Sequence, residues 1–282
     1  MLSQERRKIM MKKILVKINN SDDLLLNCDG FIIGYKDFSI LFNKTYDISS
    51  IKKIINNTDK EVYVSLNRPV FNDELELYKE ELLKLDKLGL NGIIVGDIAA
   101  LTYNLKTNLI LDQMHLNNSY YTLNHYYNNG LYGAIITNDI TLDEINEIKS
   151  NTNVVLFKQV FGYPHLSTSK RKLITNYFTH FNMNKNSNYY EIKEDKKDEY
   201  YKIVEDYFGT HILGDKPLNL LGININTNYY IIDGFMLDDI KEVVDIFMNN
   251  NIEKKEYLDK KYNASLGFIN KETIYKVKND EK

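Results

Sequence analysis

Short runs of β-branched residues recur along the chain, each followed by a longer segment whose apolar residues fall three and four apart. Lys13–Ile18, Gly30–Tyr35 and Glu61–Leu66 read as three strands, with a short helix at Ile48–Asn56 between the second and third. Asn72–Leu88 carries Leu75, Leu82, Leu85 and Leu88 on one face. It opens on the capping run Asn72-Asp73-Glu74 and stops at Gly89, the pattern of an amphipathic helix. Strands follow at Asn91–Val95, Asn108–Leu111, Gly133–Thr137 and Asn153–Val160. Between and after them come a short segment at Ile98–Tyr103 and helices near Ser119–Tyr127, Thr141–Lys149 and Lys170–Phe178. Thr141 and Glu144 stand at the two positions of a capping box.

Strand–helix alternation at this pitch predicts parallel strands joined by crossover helices. Seven strands precede residue 165, and Tyr229–Asp233 supplies an eighth, followed by a helix at Leu237–Met248. The expected fold is therefore α/β, a (β/α)8 TIM-barrel-like domain. Residues 186–215 break the rhythm. They read as a small β-hairpin insertion after strand seven, Tyr189–Lys193 paired with Tyr200–Val204 across the charged turn Glu194–Glu199. Residues 11–282 are expected to form one domain, after a polar, dispensable extension over 1–10 with Met11 as an alternative start. In the tail, Ile269, Thr273, Tyr275 and Val277 suggest an extended segment.

The 282 residues are 43% hydrophobic and 27% charged, which suits a folded chain with a large core. A net charge of −3 gives no global pull toward nucleic acid, so an RNA partner needs a local basic patch. Cys28 is the single cysteine. Neither an internal disulfide nor a metal or iron–sulfur site built from several thiolates is available, and a cytoplasmic protein is expected. No apolar run reaches the length of a membrane span, and no membrane association is expected.

In such a barrel, chemistry gathers where strands end at their C-terminal side. That rule selects Ser65 and Asn67, Gly96 and Asp97, Asp112, Gln113 and His115, Asn138 and Asp139, His165, Ser169, Lys170 and Arg171, and Asp233. His165, Ser169, Asp97 and His211 are the candidates for catalysis. Ser167 to Lys170 matches the S-x-x-K spacing of a serine nucleophile and lysine base, but its companion motifs are missing. No close histidine pair has zinc spacing, so no metal site is expected. Lys170-Arg171-Lys172 is the basic cluster at a strand-end loop. Cations at a predicted helix start point to an anionic partner.

The segment SKRKLITNYF (Ser169–Phe178) resembles the signature of the collagenase-like proteins of peptidase family U32. In the same order, Val62–Leu75, Leu88–Leu101, Ile140–Ile148, Glu205–Leu213 and Gly267–Val277 are similar to further segments of that family. The resemblance implies a (β/α) barrel. It also implies one of two activities: peptidase action, as the family label says, or oxygen-independent hydroxylation, in one branch of the tRNA wobble uridine with prephenate as hydroxyl donor. Cluster-bearing members use four cysteines and occur beside shorter, cysteine-poor paralogues, and this chain looks like the shorter kind. A cluster-bearing paralogue and tRNA are then the implied partners, with no cofactor held in this chain. Ligand or RNA contacts fall on Asn67, Gln113, His115, Lys170, Arg171, Asn176 and Asp233. The chain departs from the family pattern at Phe161–His165, which lacks a His-Gly and a Cys, and at Asn138-Asp139, where Arg-Glu is usual. The loop YKDFSI also lacks the usual Gly and Arg. These departures weigh against catalysis by this chain alone, leaving a partner-binding barrel as the remaining reading.

Overall fold

The computed structural model describes residues 12–113, 117–196 and 198–271. Strands β1 (Lys13–Lys17), β2 (Gly30–Tyr35) and a two-residue β3 (Thr45–Tyr46) lead into α1 (Ile48–Asn56) and β4 (Glu61–Leu66). Helix α2 (Leu75–Leu85) is followed by β5 (Gly92–Val95) and β6 (Leu109–Leu111). Then come α3 (Tyr120–Asn128), β7 (Gly133–Ile136), α4 (Leu142–Asn151) and β8 (Val155–Gly162). Each barrel strand lies within two residues of its expected bounds. Thr141 and Glu144 form the expected capping box on α4. The Asn72–Leu88 helix divides into a 3-10 turn at Asn72–Glu74 and α2, with Gly89 beyond its end at φ +76°.

The chain then leaves the barrel through β9 (His165–Ser169), α5 (Leu173–His180), β10 (Tyr189–Lys193), β11 (Tyr200–Asp206) and β12 (Gly209–Leu213). It returns by β13 (Leu218–Asn219) to β14 (Tyr229–Asp233), and α6 (Lys241–Met248) and α7 (Lys255–Tyr262) follow. Strand β1 pairs in parallel with both β2 and β14. The ring β1-β2-β4-β5-β6-β7-β8-β14 is thereby closed, a (β/α)8 barrel. Beyond α7, Ile269 is buried, while Met11, Thr273, Tyr275 and Val277 lie outside the described residues.

Two-residue alternation sorts the side chains into two cores. Leu15, Ile32, Tyr63, Ile94, Ile110, Phe157 and Ile231 fill the barrel interior. Val16, Ile33, Val64, Val95, Leu111 and Leu156 face outward, against Ile51 of α1, Leu82 of α2, Ile145 of α4 and Val243 of α6. Inside, Phe157 stacks on Tyr229 with ring centroids 4.5 Å apart, and both rings meet Tyr63 edge-on at 5.7 and 6.0 Å.

The insertion is larger than a hairpin. The expected pair, β10 and β11, is half of a four-stranded antiparallel sheet in the order β10-β11-β12-β9. Strand β9 was not expected because HLSTS is short and polar; its partner β12 lies some forty residues away and defines it only after folding. The same pairing delays the helix expected from Lys170. Ser169 is still in β9, and α5 begins at Leu173, whose N–H donates to Thr210 Oγ1 at 2.9 Å. Helix α7 was also not expected, since Leu258 is its one buried residue. The exit from the barrel is fixed at Gly162, with φ +108°. A Cβ there would lie 2.0 Å from the Asp233 carbonyl oxygen, so a side chain is excluded by both backbone and space.

Replacing Phe157 by Ala removes the stacked ring at the barrel's centre, where collapse is limited by eight hydrogen-bonded strands. The expected cost is about 3–5 kcal/mol of unfolding free energy. Urea denaturation measures it, as a lowered midpoint with an unchanged m-value.

Candidate functional site

The alternation that points Leu15, Tyr63, Ile110, Ile135, Phe157 and Ile231 inward puts the next inward residue of each strand at the C-terminal mouth. Those residues are Lys17, Ser65, Asp112, Thr137, Gln159 and Asp233, and all six line a cavity of about 100 Å³. Its centre is an ion pair. Lys17 Nζ lies 2.8 Å from Asp233 Oδ2, with both side chains largely buried, and the ammonium also rests 4.4 Å from the centre of the Phe42 ring. The other Asp233 oxygen accepts from Phe235 N at 2.9 Å. Across the mouth, Asn67 Oδ1 accepts from Ile40 N at 3.1 Å, while Asn138 Nδ2 donates to Gln159 Oε1 at 2.8 Å.

Behind Asn138 lies Lys158, 1% exposed. Its ammonium donates to Asn138 Oδ1 at 2.6 Å and to the Thr137 carbonyl at 2.7 Å. Burial removes it from water and brings its pKa down to about 7, against the smaller opposing pull of Asp139. Lys158 thus holds Asn138, and through it Gln159, in place at the mouth.

The added sheet leans over one side of the mouth and makes a second cavity, of about 210 Å³, beside it. His165 belongs to the first cavity; Thr168 and His211 belong to the second. They are joined. His165 Nε2 is 3.1 Å from the Ser167 carbonyl, which can only accept, so this nitrogen carries the proton. It lies 2.8 Å from Thr168 Oγ1, which in turn lies 2.9 Å from His211 Nδ1. The threonine hydroxyl has one proton, and it goes to His211. The far nitrogen of His211 then points toward Asp206 Oδ2, 3.2 Å away, close enough for an ion pair though off the line of a good hydrogen bond. Burial works against the charge on Asp206. The His211 imidazole and the N–H groups of Phe208 and Gly209 nevertheless hold its carboxyl below the usual range.

Of the residues selected from sequence, Asn67, Asp233 and His165 meet at the mouth, and Lys170 and His211 meet in the adjoining cavity. Arg171, next in the chain to Lys170, is exposed. Ser65, Asp112 and Asn138, also selected, line the mouth with Asn67, while others stand apart. Asp97 caps the 3-10 segment Ile98–Tyr103, accepting from Ala99 N at 2.8 Å. Ser169 Oγ accepts from Arg171 N at 3.2 Å. Asn176 lies on the exposed side of α5. Gln113 follows β6, its Oε1 buried without a hydrogen-bond partner among the described residues, and His115 lies outside them. The S-x-x-K spacing has no helix to act on, since Ser167 is in a strand. Cys28 is buried, and burial pushes its thiol up to about 11. Among the described residues no group of three or more His, Cys, Asp or Glu side chains is placed to hold a metal ion. No helix among them is long and apolar enough to cross a membrane.

Four members of the site escaped the sequence reading, Thr137 among them because it was read as the end of its strand. Lys17 and Gln159 are two residues beyond Leu15 and Phe157, so the alternation contained them once the register was known. Lys158 carried no such signal, because an outward-facing lysine on a strand reads as solvent-exposed.

The model of peptidase family U32 matches residues 26–259. The chain belongs to that family. Family likeness is also visible in a curated protein, the tRNA hydroxylation protein P2 of Bacillus subtilis (strain 168). It is 25% identical, with the alignment covering 94% of this chain and 100% of that protein. Among solved structures, the U32 peptidase Mk0906 superposes with a TM-score of 0.50 at 11% identity, over 79% of this chain and 92% of its own, a likeness of fold.

Lys158 gives this family member a measurable pH dependence. In the unfolded chain the ammonium keeps its ordinary pKa near 10, so between about pH 7 and pH 10 the unfolded state holds more protons than the folded state. Stability contributed at this position therefore rises with pH through that window. Lys158→Met removes the dependence. Its urea midpoint relative to the parent chain is expected to fall as the pH is raised from about 6.5 to about 9.5. Parallel pH profiles for the two proteins would rule out a lowered Lys158 pKa.

Proposed function

We propose that this chain is the cluster-free subunit of a cytoplasmic system that hydroxylates the wobble uridine of tRNA. Prephenate is the hydroxyl donor and a cluster-bearing paralogue is the partner. The observation that carries this reading is the end-to-end likeness to tRNA hydroxylation protein P2, which extends over the whole of that protein.

The site geometry supports a subunit over a self-sufficient enzyme. A mouth of about 100 Å³ is well below the roughly 300–1,000 Å³ of pockets that enclose a small-molecule ligand. Lys17, the lysine at that mouth, is already neutralised by Asp233. A dicarboxylate such as prephenate is better held by the partner, which also supplies the redox centre that one buried cysteine cannot ligate. Ser169, the serine proposed from sequence as a nucleophile, is not paired with a histidine: its Oγ accepts from Arg171 N.

Deleting the gene is expected to abolish the hydroxylated wobble uridines of tRNA, and a plasmid copy to restore them, as read by nucleoside mass spectrometry. An unchanged nucleoside profile in the deletion strain would exclude this function.

A further inference from the structure

We propose that the cavity beside the barrel mouth is a binding site for single-stranded RNA. It seats one pyrimidine-sized ring among aromatic side chains and takes the neighbouring phosphates on Lys170 and Arg171. The choice of RNA over other polyanions rests on the function proposed above.

The cavity's walls come from two distant parts of the chain. The loop after β4 supplies Phe71, and the tight turn between β11 and β12 supplies Tyr207 and Phe208. At about 210 Å³ it is smaller than a drug-sized pocket and of the scale of a single ring. Its inner frame is rigid. The Arg68 guanidinium, 5% exposed, sits 4.7 Å from the Phe38 ring and 4.8 Å from the Phe208 ring. It forks onto Glu74 with hydrogen bonds of 3.1 and 2.8 Å. Arg68 and Glu74 thereby cancel each other's charge and fix the Phe208 wall.

The outer frame is different. Tyr207 is 86% exposed, on a turn whose conformation is set by Asp206 Oδ1 accepting from Phe208 N at 2.7 Å and Gly209 N at 3.1 Å. A large ring held out into water on a stiff turn is a ready stacking platform, since every base has a face to offer it. Lys170 lies over Phe71, its ammonium 3.1 Å from the ring centre. The backbone of Arg171 is anchored on both sides: its N–H donates to Ser169 Oγ, and its carbonyl accepts from Leu173 N and Thr210 Oγ1. Its side chain makes no hydrogen bond or ion pair among the described residues. An exposed guanidinium next in the chain to the cavity-lining Lys170, with an exposed aromatic ring in the same lining, matches a nucleotide, phosphate and base together. An acidic peptide would satisfy the cations but leave the exposed Tyr207 ring without a stacked base.

The test is fluorescence anisotropy of a short fluorescein-labelled oligouridylate with the full chain, at several salt concentrations. Tyr207→Ala is expected to weaken binding about tenfold, the loss of one stacked base. Arg171→Ala is expected to flatten the slope of log K against log salt by about 0.7, one phosphate contact of a single strand. Both side chains are exposed, so neither change disturbs the fold; Lys52→Ala, exposed on α1, is expected to bind as the parent does. Three outcomes would each overturn the site: no oligouridylate binding, both variants binding within about twofold of the parent, or displacement of the RNA by oligoglutamate at equal charge. The site and the proposed function fail separately. Full restoration of wobble hydroxylation by the Tyr207→Ala gene overturns the site and leaves the function standing. Oligouridylate binding through the cavity, with unchanged tRNA in the deletion strain, overturns the function and leaves the site standing.

Discussion

Everything at the candidate site depends on the closure of the barrel, the pairing of β1 in parallel with β14 on one side and β2 on the other. An open sheet would leave Lys17 and Asp233 on strands more than two hundred residues apart in sequence, with no reason to meet. Closure puts them in register, Lys17 directly opposite Asp233, and aims both at the axis. The aromatic cluster of Tyr63, Phe157 and Tyr229 fills the interior beneath them and keeps the strands apart at the distance the mouth requires.

That closure also explains why the mouth is nearly full. Phe42 enters from the loop after β2 against Gly34, where a Cβ would stand 2.7 Å from its ring, and the lysine ammonium packs on its face. Charge and volume are therefore spent within the protein. A barrel whose polar layer is internally satisfied keeps its shape and offers little to a small anion.

The added sheet changes what the barrel can present. Strand β9 carries His165 toward the mouth and Thr168 toward the neighbouring cavity, and β12 brings His211 behind them. One threonine hydroxyl bridges the two imidazoles, so the hydrogen-bond direction in one cavity constrains the other. The same sheet carries Lys170 and Tyr207 into the lining of the neighbouring cavity, with the exposed Arg171 next in the chain.

Two periodicities in the sequence determined the barrel. Alternation of two and spacing of three to four placed all eight strands, and ordered segments such as SKRKLITNYF pointed to the family, because both signals are local and each residue reports its own burial. Asn67, Asp233 and His165 were legible for the same reason, as residues just past strand ends. Tertiary structure alone decided the rest. The polar strand His165–Ser169 is a strand only through its distant partner. Lys158 is buried only because helices and loops cover it. Lys17 meets Asp233 only once the ring closes. Asp97 and Ser169, equally well placed by sequence, turned inward to cap their own backbone, and the difference lies in which hydrogen-bond partner the folded chain brings within reach.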